Sequence, residues 1–289
     1  MELFRPEILD QLSQWKVRSD RLPLILWGAR QVGKSTIVEH FGSAQFPQCH
    51  VFNFQKSGSL KSAFAGDLNP TQILTALSLA AGRKIGPNDL IFLDEIQECP
   101  EAVTSLKYFA ESLPGQAVIA AGSHLGLMKN ESAFPVGKSQ FLSLHPLSFF
   151  EFLQNLDPET HAHLVALPLA TGEKIALFFH ERALQWLRVY FCTGGLPEVV
   201  RTYARQRNDE AAALAAAREV QNRLAEGYRS DFSKHAGTVN ANHILRIFES
   251  IAMQLGRSQD ETVGKFKFSN VIPKKKGFEA IDGPLTWLE

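Results

Sequence analysis

Cysteine is scarce in this 289-residue chain. The three that occur, Cys49, Cys99 and Cys192, are odd in number and far apart. That excludes a disulfide framework and a thiolate metal site, and it suits a reducing compartment. Net charge is missing as well: 30 Lys+Arg balance 30 Asp+Glu, so no overall field drives the chain onto nucleic acid or a membrane. Any basic surface must be local. No apolar run approaches the roughly 18–20 residues that span a bilayer. The opening "MELFRPEILDQLSQW" is too interrupted by charge to be a secretory leader. His180, His235 and His243 are scattered without metal-ligand spacing, and no internal repeat is visible. The expectation is a cytoplasmic protein with no membrane partner.

What remains is ordinary globular composition, 45% hydrophobic and 21% charged. Pro6–Trp15 carries Ile8, Leu9, Leu12 and Trp15 at helical spacing. Leu22–Trp27 is a nearly continuous apolar run, as in a strand buried on both faces. Lys34–Phe41 reads as a helix, with Gly42 placed to end it. Further strand signals fall at Val51–Phe54, Leu90–Leu93, Ala117–Ala121 and Phe141–Leu144. Helical stretches at 70–81 and 101–113 separate them, which predicts parallel pairing in a three-layer α/β domain. Beyond His145-Pro146 the pattern is helical, at 147–153, 175–191, 209–228 and 243–255. The expected division is therefore residues 1–150 and 151–289.

Between the first strand and its helix stands Gly28-Ala29-Arg30-Gln31-Val32-Gly33-Lys34-Ser35, followed by Thr36. It fits G-x-x-x-x-G-K-[ST], the Walker A phosphate loop. Glycines let backbone N–H groups turn onto phosphate oxygens. The helix N-terminus adds a positive dipole end, Lys34 reaches the outer phosphates, and Ser35 offers a hydroxyl to Mg²⁺. A chance octet of this kind occurs in roughly one chain in a hundred at average composition, and here the strand and helix flank it as the motif requires.

A second signal lies sixty residues on. Leu90-Ile-Phe-Leu-Asp94-Glu95 is an apolar strand ending in two carboxylates, the pattern of Walker B. Asp94 would hold Mg²⁺, and Glu95 would polarise the attacking water. A base in that place favours hydrolysis over transfer to a small acceptor. The next strand ends in Gly122-Ser123-His124. Ser123, with His124 as alternative, would sit between the two motifs as a γ-phosphate sensor, unless Ser123 simply caps the following turn.

Together these residues resemble a prokaryotic predicted-ATPase family of the AAA+ superfamily, whose members join an N-terminal AAA domain to a C-terminal domain of unknown function. The resemblance rests on "PLILWGARQVGKST" (23–36), "IFLDEIQECPEA" (91–102), "VIAAGSHLG" (118–126), "FPVGKSQFLSLHPLSFFEFL" (134–153), "GGLPEVV" (194–200) and "KFKFSNVIP" (265–273). It implies an AAA-type sheet of order 5-1-4-3-2, and ATP with Mg²⁺ as ligands of the residues already named. It also implies a winged-helix-like C-terminal segment that is incomplete at Glu289, with no nuclease chemistry to carry over. Lys138 stands where many relatives have Gly-Arg. It would neutralise γ-phosphate charge in its own or a neighbouring subunit, or be a solvated lysine. Arg30, inside the loop, is a further phosphate candidate.

The second half is less informative. Lys265, Lys267 and Lys274–Lys276 surround Phe266 and Phe268, a pattern that suits DNA backbone and base stacking or a solvated face over a small apolar core. Gly194-Gly-Leu-Pro197 predicts a tight turn between helices. Glu198 and Arg201 read as an exposed pair one turn apart. The expected function is a Mg²⁺-dependent ATPase whose second domain acts on DNA or a protein partner, self-association being undetermined. The rivals are a nucleotide-dependent scaffold without turnover and a P-loop kinase of a small molecule.

Overall fold

The computed structural model describes residues 3–123, 135, 137–166, 176–235, 237–257, 266–268, 271–273 and 281–288. The chain divides into two compact units, Met1–Val220 and Gln221–Glu289.

Apolar strands build the sheet of the first unit. They are β1 (Leu24–Trp27), β2 (Cys49–Asn53), β3 (Leu90–Asp94), β4 (Ala117–Gly122) and β5 (Gln140–Ser143). They lie in the order β2-β3-β4-β1-β5, every pair parallel. Read from the other edge this is the expected 5-1-4-3-2. Alternate residues of a strand face opposite sides. Ile25, Ile91, Leu93 and Val118 meet Leu77, Leu106 and Phe109 on one side, from α3 (Pro70–Ala80) and α4 (Pro100–Ser112). Leu24, Leu26, Phe92 and Ile119 meet Leu12, Trp15, Val38 and Phe41 on the other, from α1 (Pro6–Val17) and α2 (Lys34–Gln45). Every residue of β3 and β4 is buried. This double burial is why their sequences are continuous apolar runs.

One expectation is corrected. Gly42 does not end α2, which continues to Gln45. It marks instead a close approach of α2 to the sheet: a Cβ there would lie 2.5 Å from Cys49 Sγ and 2.9 Å from Leu90 Cδ2. Gly42→Ala is expected to lower stability by about 1–3 kcal/mol through overpacking. That outweighs the ~1 kcal/mol that alanine gains in helix propensity. Urea unfolding of the two proteins measures the difference.

After β5 the chain becomes helical, as expected. Ser148 opens α5 (Phe149–Leu156) with a capping box: Ser148 Oγ accepts from the Glu151 N–H at 3.2 Å, and Glu151 Oε2 accepts from the Ser148 N–H at 2.9 Å. Then follow α6 (Pro158–Val165), α7 (Leu177–Thr193), α8 (Pro197–Gln206) and α9 (Glu210–His235), the last running from the first unit into the second.

The second unit also holds α10 (Gly237–Arg257) and α11 (Asp282–Leu288). Phe266 and Phe268 pack against a small core of Ile247, Val271, Ile272 and Ile281, with their rings 5.3 Å apart. Of the two readings for these phenylalanines, the apolar core holds, and base stacking is withdrawn. Lys267 is exposed, and its backbone exchanges two hydrogen bonds with the Gln254 amide. Lys265 and Lys274–Lys276 lie outside the described residues. No helix among those described is long and apolar enough to cross a membrane.

Candidate functional site

The loop from Gly28 to Gly33 leaves β1 and enters α2. Gly28 has φ +149°, and a Cβ on it would fall 2.1 Å from Leu144 O, so a side chain is excluded twice over. Gln31 and Gly33 also take positive φ, 67° and 94°. Such a path allows successive N–H groups to turn toward one concavity, as in an anion nest at a helix N-terminus. Lys34, the first residue of α2, is only 7% exposed. Its Nζ donates to Gly28 O at 2.7 Å and Ala29 O at 2.9 Å.

Burial pushes Lys34 down to about 8, with Glu95 and Asp94 pulling the other way and Arg30 adding to the fall. Phosphate oxygens beside Nζ would restore the charged form. ATP binding is therefore expected to take up a proton at pH values above about 8. Affinity would be full below that value and fall, by up to about tenfold per pH unit, as pH rises through it. Titration calorimetry in two buffers of different ionisation enthalpy measures the uptake; zero uptake would contradict it.

Asp94 lies against Ser35. The residue is 5% exposed. It accepts from Ser35 Oγ at 3.1 and 3.0 Å and from Asn53 Nδ2 at 2.7 Å. Burial raises its pKa, opposed by the Asn53 and Ser35 hydrogen bonds. A buried carboxylate beside a hydroxyl is a hard-oxygen pair, and it fits a Mg²⁺ that draws its other ligands from phosphate and water. Among the described residues no group of three or more His, Cys, Asp or Glu is placed to hold a metal by itself.

Glu95 follows at the strand tip in the left-handed region, φ 52° and ψ 45°. A non-glycine residue there stores strain of the kind found at functional sites. Its Oε2 accepts from Gln97 Nε2 at 2.7 Å. Ser123 follows β4, which lies between β1 and β3, so it stands on the rim that carries the loop and Asp94. It does not line the cleft, and His124 lies outside the described residues. Lys138 precedes β5 at the opposite rim, because β5 runs parallel to β1 with Gln140 beside Leu24. It pairs with Glu111 at 3.1 Å, both half-exposed. A role on the phosphates of its own chain is thereby corrected to that of a surface lysine.

The loop opens into a cleft of about 540 Å³ lined by Arg30–Ile37 and Glu95 together with two distant segments. One is N-terminal: Leu3, Phe4, Arg5 and Leu9. The other is the start of α8: Pro197, Glu198 and Arg201. Sequence reading assigned no chemistry to any of these. Arg5 Nε donates to Glu151 Oε1 at 2.8 Å and its Nη2 to Glu151 Oε2 at 3.2 Å, in a buried pair. The remaining donors reach Val32 O at 3.3 Å and His145 O at 3.0 Å. Arg5 thus ties the phosphate loop to α5. The Gly194–Pro197 turn seats on the chain just after β5. Leu147 N donates to Gly195 O at 2.7 Å, and a Cβ on Gly195 would lie 2.0 Å from Leu147 O. This docking brings Pro197 to the loop, its Cγ 3.7 Å from where a Gly33 Cβ would be.

Comparison with known proteins agrees with this geometry. Residues 20–153 match the profile of a family described as an AAA domain, and residues 184–288 match a domain of unknown function (DUF8612). No curated protein matches the chain by sequence. A Walker-type ATPase of Pyrococcus abyssi is similar in fold, with TM-score 0.57 and 16% identity over 87% of this chain and 80% of that one. The Drosophila origin recognition complex bound to DNA is a more distant likeness, with TM-score 0.47 and 14% identity over 89% and 75%. So is a RuvB mutant of Thermotoga maritima, with TM-score 0.45 and 14% identity over 76% and 70%. Residues 20–153 therefore have the P-loop NTPase fold and match the AAA-domain model, and most of the rest matches a domain of unknown function.

Proposed function

We propose that this protein is a Mg²⁺-dependent ATPase, and that nucleotide state in residues 1–150 is transmitted to residues 151–289. The observation that carries the proposal is the convergence of Lys34, Ser35 and Glu95 on one cleft, with Asp94 hydrogen-bonded to Ser35. Gly28–Gly33 cradles the phosphates through backbone N–H groups, and Lys34 Nζ exchanges its two carbonyl partners for phosphate oxygens. Thr36 and Arg30 flank the same phosphates. Ser35 and Asp94 would hold Mg²⁺, which would supply positive charge against the outer phosphates. Glu95 accepts the proton of the attacking water, and Ser123, on the rim outside the cleft lining, has to move inward to sense the γ-phosphate. Leu3, Phe4, Leu9, Ile37 and Pro197 add apolar surface to the cleft lining, suited to the base.

Glu198 and Arg201 belong to α8 yet line the cleft. They are the contacts by which phosphate occupancy moves the helical region, and through it a DNA or protein partner. Phosphate release with Mg·ATP tests this function. Turnover that needs Mg²⁺ and vanishes in Lys34→Ala supports it; tight binding without turnover supports the scaffold instead.

A further inference from the structure

We infer that α7 (Leu177–Thr193) is a self-association surface, on which a second copy of this chain packs its own α7 antiparallel across Leu184. Leu177, Leu184 and Phe191 are 69%, 42% and 77% exposed. They are seven residues apart, two helical turns, so they form one row. Single exposed apolar residues are ordinary, but a row along one helix face marks an interaction surface.

The side of α7 opposite the row is occupied, while the flank of Glu181 and Arg188 borders a cleft toward Tyr203, Arg207 and Glu210. Tyr190 Oη donates to Leu147 O at 2.8 Å and Trp186 Nε1 to Asp157 Oδ2 at 2.8 Å. The Phe179 ring stacks on His163 with centroids 3.7 Å apart. Only Thr193 of the helix is buried. The packed side therefore faces α5 and α6, and the row lies away from it.

The pattern of the row selects its occupant. Leu184 is equidistant in sequence from Leu177 and Phe191. Glu181 and Arg188 are also seven apart, so they share one flank of the row, on either side of Leu184. Two such helices related by a twofold axis through Leu184 set Leu177 against Phe191 twice and Glu181 against Arg188 twice. One face complements itself, which is the requirement of an isologous dimer. A parallel pair carries the Glu181/Arg188 flank to the opposite side of the partner and loses both charge pairings. A seventeen-residue helix is about 25 Å long, less contact than the ~800 Å² per partner of a stable interface normally needs. The dimer is accordingly weak and concentration-dependent.

Sedimentation of the full chain over a range of concentrations tests this. The mass is expected to rise from 32.2 kDa toward twice that value. Leu184→Glu is expected to leave only monomer. Glu181→Arg and Arg188→Glu, each alone, place like charges opposite and weaken association by at least about tenfold. The double variant Glu181→Arg/Arg188→Glu restores it. Circular dichroism and ATP binding of each variant should match the parent, which separates lost association from lost fold. A monomer at every concentration would overturn the inference. So would a dimer indifferent to Leu184→Glu, or a double swap no better than the single ones. A Leu184→Glu monomer with a lowered melting temperature would also overturn it, because the row would then be covered by the chain's own residues.

Discussion

Replacing Glu95 by glutamine is expected to leave ATP binding intact and to slow phosphate release by about 100- to 1,000-fold, the usual contribution of a positioned general base. The substitution keeps shape and a hydrogen-bonding oxygen, but it removes the group that takes the proton. Binding survives because the phosphates are held by the Gly28–Gly33 backbone, Lys34 and the Ser35–Asp94 pair, and the phosphate charge replaces the support that Glu95 gives to charged Lys34. Glu95 is held in a left-handed backbone conformation with its Oε2 on Gln97 Nε2. That hydrogen bond fixes where the carboxylate waits when no nucleotide is present. Single-turnover phosphate release, with binding measured on the same preparation, checks the split. A Glu95→Gln protein that hydrolyses like the parent removes Glu95 from the mechanism.

Arg5→Ala is expected to cost about 3–5 kcal/mol of stability, because it leaves the Glu151 carboxylate buried without its partner. The Arg5 and Glu151 side chains are 9% and 11% exposed. Arg5 also supplies a donor to Val32 O within the phosphate loop. The same variant should therefore weaken ATP binding, although Arg5 stands almost thirty residues before Lys34. Removing both charges, as Arg5→Met/Glu151→Gln, should recover much of the lost stability, since no charge is then stranded. Denaturant unfolding of the single and double variants makes the comparison. A loss under about 1 kcal/mol for Arg5→Ala would place the pair among weak surface bridges.

The parts legible in the sequence were those whose physics is local. Gly28 to Thr36 is one continuous loop with a fixed spacing, and Asp94-Glu95 ends a run apolar enough to declare a buried strand. Parallel pairing followed from strands alternating with helices, and the resemblance supplied their order. The parts that escaped depend on chain segments meeting across space. Arg5 has no local signature, since its partners are Glu151, Val32 and His145. Glu198 and Arg201 read as an exposed pair because nothing near them in sequence tells of the Gly195–Leu147 docking that carries α8 to the cleft. Gly42 was misread for another reason. Glycine serves both as a helix stop and as a close-approach residue, and only the distance to Cys49 and Leu90 separates the two. Lys138 shows how strand direction decides reach: it lies at the start of a strand whose far end approaches the loop.

Equilibrium titration of Mg·ATP into the Glu95→Gln protein, beside the same protein carrying Lys34→Ala, tests the central claim most directly. Nucleotide held by the Gly28–Thr36 loop predicts one site per chain in the first protein and its loss in the second. Equal affinity in both, or no binding in either, would contradict a nucleotide site built on this loop.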